Sequence, residues 1–190
     1  MSPKAATRPG GRSARVQQAV HTAVSELLAE RDRSSLTVPL IAARAGVTPS
    51  TVYRRWGDLQ ELLSDVAVAR LRPESPPADL GSLHEDLEAW AVAFLEEMAS
   101  PPGRAYVRDA LAGDPGGGNA GRCSAYAAEQ VQAILARATE RGEHVLDVDV
   151  VMDHVVAPMM YRVLFRPGPL EAEYARGLVA TVFYRLMPLP

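Results

Sequence analysis

TVPLIAARAGVTPSTVYRRWGDLQELL, residues 37–63, reads as three short helices in close succession. Thr37 is placed to cap the first, with Pro39 in its first turn, where the missing N–H leaves no intrahelical bond unmade. Gly46 ends that helix, because only glycine takes the left-handed conformation of a helix C-terminus without strain. Thr48 caps the next helix, again followed by a proline, and Asp58 caps a third that runs to about Leu71. The Ala45-Gly46-Val47-Thr48 turn is short enough to force a sharp angle between its helices. Ala42, Ala45 and Val47 are small where those helices must approach. Val52 and Trp56, four apart, anchor the second helix to a core. Its opposite face carries Ser50, Thr51, Tyr53, Arg54 and Arg55: short hydroxyls, a phenol and two guanidiniums. Such groups bond phosphate oxygens or base edges, and arginine is the usual partner of guanine.

Upstream, Val16, Val20, Ala23, Val24, Leu27 and Leu28 recur at helical spacing over residues 13–31. Residues 1–12, MSPKAATRPGGR, are a Pro/Gly-rich basic arm expected to be disordered when free. Downstream, RPESPPADLG (72–81) reads as the boundary between two parts of the chain. Residues 83–99 follow as an amphipathic helix, with Ser82 and Glu85 matching a capping box. Further helices are expected over 103–112, 122–141, 148–165 and 170–187, with GDPGGGNAG (113–121) as a flexible loop. The 148–165 segment is apolar almost all round, the pattern of a helix buried on most sides. No alternating strand pattern or hairpin signal occurs. The fold class is therefore all-α: a basic arm (1–12), a helix-turn-helix domain (13–72) and a second helical domain (73–190).

Composition agrees. The 190 residues are 47% hydrophobic with a mean hydropathy of -0.06, a balance that excludes a disordered chain. Residues 1–72 hold 11 Lys and Arg against 6 Asp and Glu, whereas the remainder holds 9 against 17. A basic first third beside an acidic remainder indicates that one part alone meets a polyanion. No apolar run reaches a membrane span and no secretory signal is visible, so no membrane partner is expected. The single Cys123 permits no internal disulfide and suits a reducing cytoplasm. His144, Asp147, Asp149, Asp153 and His154 are metal-ligand types, but the carboxylates read as caps of the next helix and no His-x3-His pair exists. Neither metal nor other cofactor is expected. Arg122 and Cys123 stand where a phosphate-binding loop needs Lys and Ser/Thr.

The 37–63 stretch resembles the helix-turn-helix of the TetR (tetracycline repressor) family of bacterial transcriptional regulators. The likeness rests on T-V-x-x-I-A, A-G-V, the T-V-Y of the recognition helix and the aromatic three residues on. In the second part, RATERGE, DVD, the apolar helix ending AP..YR.L, and PLEAEY are similar to one branch of that family. The resemblance implies a sequence-specific DNA-binding regulator, usually a repressor. DNA contacts fall on Thr37, Thr48, Ser50, Thr51, Tyr53, Arg54 and Arg55, with Arg54 reading a base. Family members commonly carry a Lys at the start of the fourth helix, where Leu59 stands here, which removes one phosphate contact or leaves it to Arg12, Arg15 or Arg55. The implied partners are a near-palindromic double-stranded operator and a small lipophilic effector. Trp90, Phe94, Met98, Tyr126, His154 and Met159 are candidates for the effector cavity, although residues at such spacing are more often plain core, and His154 fits a core or dimer-interface histidine better than a ligand contact. The apolar surface of 148–165 and 170–187 exceeds what one subunit can cover, so a homodimer through these helices is expected. Two other classes fit the sequence less well. A small helical ligand-converting enzyme lacks any convergent nucleophile or acid/base pair, and a helical adaptor would leave the basic headpiece without a purpose.

Overall fold

In a computed structural model of the chain, residues 11–113, 116–166 and 168–186 are described, and they are helical without a strand among them. Residues 1–10 of the expected basic arm lie outside the described residues. Gly11 and Arg12, expected in that arm, instead open helix α1 (Gly11–Glu30). The chain divides into two compact units, residues 1–66 and 67–190.

In the first unit α1 is followed by a 3₁₀ turn (Arg33–Ser35), α2 (Val38–Ala45), α3 (Pro49–Trp56) and the first part of α4 (Leu59–Arg70). The caps explain the punctuation. Thr37 Oγ1 accepts the Leu40 N–H at 3.4 Å, and Gly46 takes φ +67° with its N–H returned to α2. Asp58 Oδ1 accepts the Glu61 N–H at 2.8 Å, starting α4. Thr48 departs from expectation: it stands at the N-cap, but its hydroxyl takes no backbone N–H. The apolar faces of these helices meet in a core of Val20, Val24, Leu27, Ile41, Val52, Trp56 and Leu62. One carboxylate bolts three of them together. Asp65 Oδ2 accepts Trp56 Nε1–H at 2.9 Å and Gln17 Nε2–H at 3.1 Å, with His21 Nε2 at 2.9 Å.

The second unit contains α5 (Leu83–Ala99), α6 (Pro101–Ala112), α7 (Gly118–Glu140), α8 (Val148–Val151), a π-helical turn (Met152–Val156), α9 (Ala157–Phe165) and α10 (Ala172–Leu186). Helix α7 begins earlier than residue 122, so the glycine-rich loop is shorter than read from composition. Ser82 Oγ accepts the Glu85 N–H, but Glu85 Oε2 takes the Ser82 hydroxyl proton, so the capping box is half formed. Leu87 and Leu95 of α5, Val131 and Ile134 of α7, and Val179 and Val182 of α10 share one core. A single serine makes the α5–α6 corner: Ser100 Oγ donates to Glu97 O and accepts the Gly103 N–H.

The segment 148–165 is one helix with a defect. Pro158 lacks an N–H, and its ring would collide with the carbonyl one turn back in a regular helix. The helix widens instead, and the Ala157 N–H reaches Met152 O, five residues away. Residues four apart drift by about 40° per step around a regular α-helix. The π turn takes up that drift, so straight stripes result. Val151, Val155, Met159 and Val163 all face the core, while Asp153, Ala157, Tyr161 and Phe165 are all exposed.

The proline-rich stretch belongs to this second unit as a pinned strap. Buried Asp86 accepts the Leu80 N–H on Oδ1 at 2.6 Å, and Arg137 (3.4 Å) and Arg141 (3.2 Å) on Oδ2. Arg137 also donates to the carbonyls of Pro77 and Ala78, and Arg141 to Asp79. Glu143 closes the set, accepting the Leu83 N–H at 2.8 Å and Arg141 Nε–H at 2.7 Å. The Leu83 N–H first, and Arg141 second, hold the Glu143 carboxyl below its usual range. A depressed folded-state pKa stabilises above the unfolded value and is lost as pH falls through the folded one. Thermal stability should therefore drop as pH falls below the ordinary carboxylate range, and Glu143→Gln should lessen that acid sensitivity in melts taken across pH.

Candidate nucleic-acid interface and ligand cavity

Helix α3 buries Val52 and Trp56 and turns its other residues outward. Thr48 Oγ1 lies 2.9 Å from both Ser50 Oγ and Thr51 Oγ1, so three hydroxyls cluster at the positive end of the helix dipole. Tyr53 is exposed at the middle of the helix. Arg54 is exposed as well, and no hydrogen bond or ion pair holds it among the described residues. Thr37 is exposed one helix away, its oxygen already capping α2. Arg55 differs from its neighbour. Its guanidinium donates to Ser13 Oγ (2.6 Å), Ser13 O (3.2 Å) and Gln17 Oε1 (2.6 Å) and sits 5.1 Å from the Trp56 ring centroid. Arg55 is thus turned onto α1, a contact that spacing along α3 does not reveal. Leu59 is half buried against the first unit's core.

The second unit holds a cavity of about 650 Å³, within the range of small-molecule sites. Trp90, Phe94, Met98 and Tyr126 line it, and the first two stack with centroids 5.3 Å apart. Met159 and His154 do not line it. Met159 is fully buried on the core stripe, and its neighbour Met160 faces the cavity with Met152, Val156 and Leu164. His154 is exposed, its Nδ1 3.0 Å from Val150 O, so the core-histidine reading fails too. The sequence reading also missed the strap, whose residues 73–78 form one wall. Its prolines marked a boundary, but only Arg137 and Arg141, far along the chain, fold it inward. Cys123 lies at the cavity wall. Of the carboxylates near residue 147, Asp147 caps the next helix, its Oδ1 accepting the Asp149 N–H at 2.8 Å.

The family model described as "Bacterial regulatory proteins, tetR family" matches residues 22–66, and "Tetracyclin repressor-like, C-terminal domain" matches residues 77–182. The chain belongs to the TetR family. Its helix-turn-helix is thereby that of a TetR-family transcriptional regulator rather than an enzyme. Among curated relatives, the uncharacterised HTH-type transcriptional regulator YdeS of Bacillus subtilis is 26% identical over 180 residues, 87% of each chain. The HTH-type transcriptional regulator AqdR of Rhodococcus erythropolis is 33% identical over 97 residues, 51% of this chain and 47% of its own. The crystal structure of the TetR family transcription regulator SCO0332 shares the fold at a TM-score of 0.67 and 24% identity, over 91% of this chain and 99% of that one. Among the described residues, no helix is long and apolar enough to cross a membrane.

Proposed function

We propose that the protein is a cytoplasmic homodimeric repressor that binds a near-palindromic operator and is released by a small lipophilic effector in the cavity. The observation that carries the DNA half is Arg54: an exposed, unengaged guanidinium on α3, flanked by Tyr53 and the Thr48–Ser50–Thr51 hydroxyls. Arg54 reads a base edge, the hydroxyls and Tyr53 hold phosphates, and Thr37 supports them from α2. Arg55 sets the start of α1 against α3 and reaches DNA only by leaving Ser13 and Gln17. A dimer places two recognition helices about 34–36 Å apart, one turn of duplex, which calls for a palindrome.

In vitro selection from a random duplex library tests this. The wild-type chain should enrich a palindrome. Arg54→Ala should bind it more weakly by about 1–3 kcal/mol, with preference relaxed at one position per half-site. No enrichment at low or moderate salt would remove the operator reading, and an unaltered site preference in the variant would remove Arg54 as base reader. With Leu59 half buried where family members carry a lysine, the salt dependence should lack one phosphate contact, a slope shallower by about 0.9.

The exposed stripe of α9 supports the dimer. Tyr161 and Phe165 are 53% and 68% exposed with rings 5.4 Å apart, and Tyr184 on α10 is 89% exposed. The paired rings of Tyr161 and Phe165 on an open helix face mark an interaction surface. Tyr161→Glu with Phe165→Glu should give monomers in sedimentation velocity at micromolar concentration, with operator affinity reduced at least tenfold. A variant that stays dimeric would move the interface elsewhere. The effector would act through a coupling of about 1–3 kcal/mol, and by reciprocity it must bind the free protein more tightly than the DNA complex.

A further inference from the structure

We infer that the cavity selects a lipophilic cation, an inference that rests on reading this cavity as the effector site. Its hydrophobic wall centres on the Trp90–Phe94 stack and Tyr126. Its charged members are all of one sign: Glu74 from the strap, Glu97 from α5 and Asp153 from the π turn. No lysine, arginine or histidine lines it among the described residues. None of the three carboxylates has a hydrogen-bonded or ionic side-chain partner among the described residues, whereas the carboxylates of the strap knot are all paired. The cavity is thus an apolar, aromatic space bordered from three separate elements by uncompensated negative charge.

Two effects follow from that arrangement. Aromatic faces attract a cation through their quadrupole, most strongly when the cation is poorly hydrated, as quaternary and phosphonium centres are. The three carboxylates favour the same charge and oppose an anionic ligand of equal shape. A neutral ligand gains from the apolar wall alone. The volume is sufficient for a drug-sized molecule. The ligand class is therefore a bulky hydrophobic group carrying a delocalised or alkylated positive charge.

Calorimetric titration of the full chain with tetraphenylphosphonium and tetraphenylborate tests this, because the two ions have nearly one shape and opposite charge. The phosphonium should bind about tenfold or more tightly than the borate, with the difference shrinking as salt is raised. Replacing the three exposed carboxylates together (Glu74→Gln, Glu97→Gln, Asp153→Asn) should bring the two affinities toward parity while the circular dichroism spectrum is unchanged. Trp90→Ala should weaken both probes. Equal affinity for the two ions, or tighter binding of the borate, overturns the cation class and leaves the cavity as a binding site. Retention of the preference in the triple variant also overturns it, since the charge selection would then arise elsewhere. Binding of neither ion overturns both this inference and the cavity as a site for ligands of this size.

Discussion

Asp86→Ala is expected to lower stability by about 3 kcal/mol, because it leaves guanidiniums facing a site built for a carboxylate. The Asp86 side chain is fully enclosed, whereas Arg137 and Arg141 keep partial access to water. The guanidiniums can therefore recover some hydration, which holds the loss to the lower part of the range for broken buried pairs. A backbone donor is orphaned as well, since the Leu80 N–H has Asp86 Oδ1 as its acceptor. In a chain of this size the change corresponds to a melting temperature lower by roughly 10 °C, readable by circular dichroism. Asp86→Asn should cost less, because an amide oxygen still accepts the Leu80 N–H. Its ligand affinity should nonetheless fall, since the strap that walls the cavity would be held by weaker bonds. A loss below about 1 kcal/mol in Asp86→Ala would show that the strap is held by the Arg137 bonds to its carbonyls and the Arg141–Asp79 pair without Asp86.

The second large effect lies at the α5–α6 corner. A Cβ on Gly103 would stand 2.0 Å from the Glu97 carbonyl oxygen and 2.9 Å from its carbon, both backbone atoms. Neither can swing aside as a flexible side chain could. Gly103→Ala should therefore cost about 2–3 kcal/mol, despite the better helix propensity of alanine. Gly121 supplies the control within the same unit. It lies inside α7 with nothing near its notional Cβ. Gly121→Ala should be neutral or stabilise by about 0.5–1 kcal/mol. If both substitutions behave alike in denaturant titrations, the close approach at the corner does not govern stability.

The helix-turn-helix was legible because its determinants are local. Thr37, Gly46 and Asp58 act on backbone groups within a few residues, and Val52 and Trp56 share a face by spacing alone. The same local logic failed at Thr48, whose hydroxyl prefers Ser50 and Thr51 to a backbone N–H. The face of α3 was equally readable, but not the engagement of Arg55, because Ser13 and Gln17 lie on another helix. In the second unit, Trp90, Phe94, Met98 and Tyr126 could be named from two helices of ordinary geometry. The strap could not, since it is placed by arginines some sixty positions away in sequence. Met159 and Met160 are adjacent, and periodicity through a proline-bearing helix does not say which of them faces inward.

That π turn acts as an inserted residue in the helix it interrupts. Winding the same residues as a regular α-helix would turn everything beyond the π turn by about 100°. The residues after it would change places in one step. Those now filling the interior would swing toward the ligand or the solvent, and Tyr161 and Phe165 would leave the outer face together. Cavity shape and the proposed subunit contact are thus phased by the same turn, so neither can be re-registered by a change of winding without the other. Within this helix, loss of one residue should be tolerated only at the π turn, where a return to regular α winding leaves Met160 and Leu164 facing the cavity.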